Sequence, residues 1–420
     1  MLLSALAERR PPPRTLILLD PTPLSSEAYA AAAPEHLLNT RARVMSLTNG
    51  DPDAFTRYAA RALGIAESQA AIGFMPRALY GGFLREGLDR AIAALQQAGW
   101  RIQRVRARAK ALNRSAGRWI INTDRRPVTA DAVVLAIGPD RGEPFPAAVS
   151  PWAVNSEDAK AKEALVIGAG LTAADIVARL ERLGCQGRIT LVSPGPGLPL
   201  AQSEDAPPLP AMAWPEPAAS AAGVLHAARK AVRRAVETGV DWRSVMDAMR
   251  PLTPELWAAL PPDQRRRLLQ STRILAWSRH RHRLPPQTAR TIADLAQAGR
   301  LTVLCDRVTA VEPGAAALRA GGRRSFDLIV DARGFDLGFR RNDLVQALIA
   351  SGAARPCPTG FGLAPDKGFR VGESLYAMGA ILAGALLEST AAPEIRAQAY
   401  NIADGLEQDA PTLASCPRRQ

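Results

Sequence analysis

The residues of this sequence best suited to chemistry are three small ones behind an apolar run. Ala164-Leu165-Val166-Ile167 leads into Gly168-Ala169-Gly170-Leu171-Thr172-Ala173-Ala174-Asp175, a Gly-x-Gly-x-x-Ala spacing between a strand and a helix. Gly168 permits a tight turn, Gly170 (with Thr172 just behind it) lets backbone N–H groups approach a pyrophosphate, and Ala173 lets helix and strand pack closely. The helix N-terminus then offers partial positive charge to the phosphates. The next strand, Ile189–Val192, follows at the distance a nucleotide-binding βαβ unit needs and ends in Ser193-Pro194. A carboxylate at that strand end would accept from a ribose 2′-OH. Ser193 supplies none, so NADPH is favoured over NADH.

A second strand end has what the first lacks. Thr15-Leu16-Ile17-Leu18-Leu19 is a short apolar run of the buried parallel type, and it closes on Asp20. In a flavin-binding unit, a carboxylate here holds the adenosine ribose of FAD. A helix over Leu2–Glu8 precedes the strand, but no strand and glycine turn precede that helix. The expectation is therefore a FAD unit whose first βα turn is missing, with the natural start upstream of Met1. A shortened, FAD-free protein is the alternative.

Other chemistries lack their residues. Cys185, Cys305, Cys357 and Cys416 are isolated, which leaves no Cys-x-x-Cys pair for a zinc site or a redox disulfide. Nor do His36, His226, His280 and His282 form a ligand set, so no metal is expected. The formal charge of +13 is almost all arginine, with only five lysines. Arginines this dispersed, without interleaved aromatics, argue against nucleic-acid binding and are compatible with anionic cofactors and acidic substrates. No apolar run reaches the roughly 18 residues of a membrane span, and the N-terminus lacks a signal-peptide pattern. A cytoplasmic protein is expected.

Strands and helices alternate at both ends of the chain, and 47% of the residues are hydrophobic, enough for more than one core. A long helix is predicted over 77–98, with strands at 101–105, 119–121, 132–138, 301–304, 326–330 and 374–378. Residues 221–299 read as helical, and 194–217 as a loop. The fold class is α/β, with two Rossmann-like dinucleotide-binding domains, for FAD and for NAD(P)H. The expected division is 1–155 and 339–420 for FAD, 156–205 and 300–338 for NAD(P)H, and 206–299 as a helical cap.

Several segments together carry a more specific pattern: Pro34-Glu35-His36-Leu37-Leu38-Asn39, Arg43-Val44-Met45-Ser46-Leu47, Pro76-Arg77-Ala78-Leu79-Tyr80-Gly81, Val134-Leu135-Ala136-Ile137-Gly138, Leu375-Tyr376-Ala377-Met378-Gly379-Ala380 and Glu388-Ser389-Thr390-Ala391. They resemble the FAD/NAD(P)-binding flavoprotein family that includes nitrosuccinate-forming aspartate N-monooxygenases and an FAD-dependent urate hydroxylase. The resemblance implies FAD and NADPH as cofactors, dioxygen as co-substrate, and oxygen transfer to a small molecule through a peroxyflavin. It places His36, Asn39, Met45 and Ser46 along the flavin, Arg77 and Tyr80 near FAD, and Gly138 and Gly334 at strand ends leaving the two domains. Gly379 and Ala380 stand where many flavoproteins have Gly-Asp, so contact to the ribityl chain falls to backbone. A helix starting near Gly384-Ala385 is expected to aim its N-terminus at the flavin. His36 fits a packed histidine equally well, and Met45 fits plain core. Arg281 and Arg283 are candidates for holding a substrate carboxylate, which makes an anionic substrate the expectation. No catalytic residue is identified. An NAD(P)H oxidase or reductase without oxygen insertion, or a non-catalytic paralogue, are the competing readings.

Overall fold

The computed structural model describes residues 1–22, 27–140, 142–195, 197–205 and 220–409. Its strands in chain order are β1 (Thr15–Leu19), β2 (Arg101–Val105), β3 (Ala109–Ser115), β4 (Arg118–Thr123), β5 (Val128–Ala130) and β6 (Val133–Leu135) in the first part. The middle of the chain adds β7 (Glu163–Ile167), β8 (Arg188–Ser193), β9 (Leu301–Cys305), β10 (Val308–Glu312), β11 (Ala315–Leu318), β12 (Gly322–Ser325) and β13 (Leu328–Asp331). Two more, β14 (Arg370–Gly372) and β15 (Leu375–Ala377), follow near the end.

The middle unit is a parallel sheet in the order β13-β7-β8-β9. Its centre is apolar on both faces, with Ala164, Leu165, Val166 and Ile167 all buried, as a parallel sheet covered on both sides requires. The helix Leu171–Arg182 buries Ala173, Ala174, Ile176, Val177 and Leu180 against one face. That spacing is the i, i+3, i+4, i+7 stripe of a core-facing helix, and each fully buried large aliphatic side chain contributes about 1.5–3 kcal/mol. The helix Pro286–Gln297 packs on the same face through Ile292 and Leu295. It is the crossover helix from β8 to β9, so the other cap helices interrupt that crossover. The antiparallel sheet β10-β11-β12 closes the other face through Ala316 and Leu318.

The two chain ends form the other half. β1 and β2 pair in parallel, and a separate sheet runs β14-β15-β6, with β15 and β6 parallel. The helices Leu2–Arg9, Arg77–Gln97 and Ala392–Gln408 supply Leu6, Leu95 and Ile402 to one core. That core also contains Leu16 and Ile102 from one sheet and Val134 and Tyr376 from the other. Among the described residues, no strand hydrogen-bonds the two sheets to each other.

Several elements depart from the sequence expectation. The antiparallel strands β3, β5, β10, β11, β12 and β14 carried no signal, because Ala315-Ala316-Ala317 and Gly322-Arg323-Arg324-Ser325 lack the β-branched and aromatic residues that mark strands. The helix expected near Gly384 is a single turn, Ala383–Leu386, closed by Leu387 at φ 58°. The long C-terminal helix begins only at Ala392. Of the loop expected at 194–217, residues 206–219 lie outside the described residues, as do the tail residues 410–420 with Cys416.

Candidate active site at the junction of the two halves

The glycine turn is built as its residue types dictate. Gly168 has φ 121°, and its N–H donates to the Val192 carbonyl at 2.8 Å. A Cβ there would lie 2.5 Å from the Ala332 carbonyl oxygen, so glycine is obligatory on both counts. At Gly170 the situation is reversed: a Cβ would meet nothing within 4 Å. The space over Gly170 is open, and the helix it caps has no side-chain cap on its first N–H groups. These unspent donors at the end of a 12-residue helix fit a dinucleotide pyrophosphate. Ala173 is fully buried against the sheet. At the end of β8, the Ser193 hydroxyl accepts from Gly195 N–H at 3.2 Å. Leu275 of the helix Thr272–Arg281 lies against Gly195, and Arg279 of that helix donates to the Leu198 carbonyl at 2.8 Å. The insertion therefore shapes the loop next to the adenosine end of this site, which no local motif reveals.

In the other half, Asp20 opens onto a cavity of about 480 Å³ that also exposes Thr22, Arg85, Arg104 and Arg106. Its carboxylate accepts from the Thr22 N–H at 2.7 Å and the Thr22 hydroxyl at 2.6 Å. A carboxylate beside basic side chains, at the end of a parallel strand, fits the ribose and phosphate of an adenosine moiety. Gly138 and Gly379 follow the neighbouring parallel strands β6 and β15, with φ of 71° and 80° and open space where a Cβ would project. Gly379 N–H donates to Gln398 Oε1 at 2.7 Å, and Ala380 behind it is buried. Gly334, after β13, is exposed with open space around it.

The remaining residues near the flavin side fall into two groups. Met45, Ser46 and Tyr80 are buried inside this half. Met45 and Tyr80 belong to the core cluster around Phe55, with the Tyr80 ring edge-on to Phe55 at 4.9 Å. Ser46 donates to the Asp51 carbonyl and caps a local turn. Asn39 is half-buried on the loop between them. His36 and Arg77, by contrast, stand at the seam between the halves. Residues 36–38 pair with 75–77, since Arg77 N–H donates to the His36 carbonyl at 2.7 Å and Leu38 N–H to the Met75 carbonyl at 2.8 Å. From this platform Arg77 forms a 3.0 Å ion pair with Asp175, and Glu35 a 2.9 Å pair with Arg179. Both partners lie on the helix of the glycine turn. The His36 Nδ1 accepts from Ala33 N–H at 3.2 Å, and its ring sits edge-on to Trp152 at 5.9 Å. Burial holds His36 down at about 4, with Glu35 working against it and Arg77 and Arg179 adding to it. Burial pushes Asp175 up to about 6, against the pull of Arg77.

Arg281 and Arg283 are both buried with protein partners. Arg281 pairs with Glu388 at 3.0 Å, and Arg283 pairs with Asp247 while donating to Gln202 Oε1 at 2.8 Å. Arg250 pairs bidentately with Glu394, and the Trp257 indole donates to the Gly384 carbonyl at 3.2 Å. The cap is thus bolted onto the segment after Gly379, in the opposite half from the sheet it interrupts. Among the described residues there is no group of three metal-ligating side chains, and no helix is long and apolar enough to cross a membrane.

The sequence of residues 1–140 matches the model of the FAD-NAD(P)-binding family. None of the curated proteins matches the sequence. Among solved structures, the ornithine hydroxylase of Pseudomonas aeruginosa is similar over 97% of this chain and 96% of its own, at 16% identity and a TM-score of 0.63. The cadaverine monooxygenase of desferrioxamine biosynthesis from Erwinia amylovora is similar over 100% and 94%, at 13% identity and a TM-score of 0.58. The bacillithiol disulfide reductase of Staphylococcus aureus covers 97% and 95%, at 10% identity and a TM-score of 0.54. This chain therefore shares the fold of these solved structures along nearly its whole length, and the family match over residues 1–140 takes in the acidic strand end at Asp20 but not the glycine turn at Gly168.

Proposed function

We propose that this protein is a FAD- and NADPH-dependent monooxygenase that hydroxylates a small, anionic substrate. One observation carries the reading: an open phosphate cradle at Gly170 is pinned by ion pairs to a half that keeps its own acidic strand end at Asp20. The half with Asp20 would hold FAD and the turn at Gly170 would hold NADPH, and the flavin would supply the redox and oxygen chemistry when bound. The chain's own residues bind, orient and exclude water. The helix N-terminus behind Gly170 holds a pyrophosphate, and Asp20 accepts from ribose hydroxyls. The absence of a carboxylate at Ser193 leaves room for a 2′-phosphate. Trp257, Arg250 and Arg281 hold the cap over residues 384–394.

The anionic part of this reading comes from the sequence, where Arg281 and Arg283 are candidates for holding a carboxylate. In the structure both are buried and paired with Glu388 and Asp247, so a substrate would reach them only by displacing those partners. The known substrates of the fold neighbours, ornithine and cadaverine, add amines to the panel. The relation to aspartate N-monooxygenases or urate hydroxylase is part of this proposal.

The test uses the full protein with FAD. Its absorbance spectrum, NADPH oxidation across acidic amino acids, urate and neutral amines, and incorporation of labelled dioxygen into product decide it. Oxidation coupled to oxygen incorporation with an anionic substrate is the expected result. Stimulation by neutral amines alone defeats the anionic reading. NADPH oxidation without incorporation favours a reductase or oxidase, a reading the shared fold with a disulfide reductase supports. A protein that takes up no flavin favours a non-catalytic paralogue.

A further inference from the structure

Four charged residues meet where the glycine-turn helix touches the other half. Asp175 and Arg179 are four apart on the helix Leu171–Arg182, so they share one face. Opposite them, Arg77 projects from the segment 75–77 and Glu35 from just before its paired segment 36–38. The helix presents minus then plus, and the platform presents plus then minus. Sliding the helix by one turn would bring Arg179 toward Arg77 and leave Asp175 and Glu35 without partners. Only one register satisfies all four charges. The connecting segment is fixed at the same place, with Arg179 Nε donating to the Val154 carbonyl at 3.4 Å and Trp152 edge-on to His36.

We propose that the Arg77–Asp175 and Glu35–Arg179 pairs are positioning residues that set where the NADPH-bearing helix stands over the flavin half, and hence whether hydride can pass. The inference rests on the function proposed above. Its energetic logic is that a buried ion pair seldom adds stability over an apolar pair of the same shape, because desolvation offsets the attraction. Here the cost is visible, since Asp175 resists ionisation even with Arg77 beside it. What the pairs add is register, and hydride transfer depends steeply on register.

The experiment compares three variants with the wild-type holoprotein: the apolar pair Arg77→Met with Asp175→Leu, the single Arg179→Glu, and the charge swap Glu35→Arg with Arg179→Glu. Thermal stability, NADP⁺ affinity by calorimetry, single-turnover flavin reduction by NADPH, and small-angle scattering are measured. The apolar pair is expected to keep its melting temperature and bind NADP⁺ within about 3-fold of wild type, because the glycine turn is untouched. Its flavin reduction should fall by at least about 10-fold. Arg179→Glu should fall likewise, and the charge swap should recover most of the loss. An apolar variant that reduces flavin at the wild-type rate overturns the proposal, as does a swap that restores stability without restoring the rate. If the apolar variant does not fold, the Glu35 and Arg179 variants decide alone. A wild-type protein that binds NADP⁺ but passes no hydride refutes the functional reading instead. The scattering then decides the clamp: a shifted profile for Arg179→Glu supports it, and an unchanged one overturns it.

Discussion

The two dinucleotide units of this chain solve the same problem with different sheets. In the middle unit, four parallel strands hydrogen-bond continuously, and the glycine turn leaves the central strand β7. In the chain-end unit, β1-β2 and β14-β15-β6 share a core without a common ladder among the described residues. The middle unit therefore presents a phosphate cradle made of backbone. The chain-end unit presents side chains, with Asp20 beside Arg104 and Arg106. The backbone turn excludes a Cβ at Gly168, whereas a side-chain site can be trimmed group by group.

The sharpest way to break that contrast is at Gly168. Gly168→Ala places a Cβ 2.5 Å from a carbonyl oxygen at a φ of 121°. It is expected to cost roughly 2–4 kcal/mol of stability, read by urea denaturation. A variant as stable as wild type would mean the turn relaxes freely.

The seam between the units should respond to pH. His36 sits at about 4 when folded against 6.5 unfolded, so its contribution is complete above pH 6.5 and is lost as pH falls toward 4. Asp175 runs the other way: raised from 3.8 to about 6, it favours the folded state increasingly as pH falls through that window. The two slopes oppose each other between about pH 6 and 4. Removing the imidazole in His36→Gln leaves only the Asp175 slope. The variant should gain up to roughly 3 kcal/mol on wild type between pH 7 and 4. Parallel stability curves across that range would refute the assignment.

Two smaller effects separate the units. Gly170→Ala meets no steric obstacle, so its melting temperature should stay within about 2 °C of wild type. NADP⁺ affinity should drop by about 10-fold as the methyl crowds the pyrophosphate. Asp20→Asn should weaken FAD retention by a few-fold and leave NADP⁺ affinity unchanged. If both cofactors weaken together, the two sites are not independent. Calorimetry with each dinucleotide checks both variants.

Most of the parallel framework was legible from residue type. Parallel strands that read as unbroken apolar runs, β1 and β7, appeared within a residue of their true limits, although β1 is only half-buried in its two-stranded sheet. The antiparallel strands were not legible, because β10, β11 and β12 are short and rich in alanine or arginine and owe their structure to pairing with one another. The cap showed the same division. Its helices follow from their pattern, but its attachment through Arg250, Trp257 and Arg281 to the opposite half has no local signature.

What the sequence by itself determined is the glycine turn and the strand ends, Ser193 and Asp20. Their chemistry resides in consecutive residues, where backbone freedom and side-chain type act locally. Only the tertiary structure decided which charges meet. Glu35, Arg77, Asp175 and Arg179 span 145 positions of the chain, and nothing in their spacing announces that they converge. Their pairing depends on burial, which desolvates Asp175 almost fully and the other three in part, and makes one partner in one register the arrangement that offsets the cost.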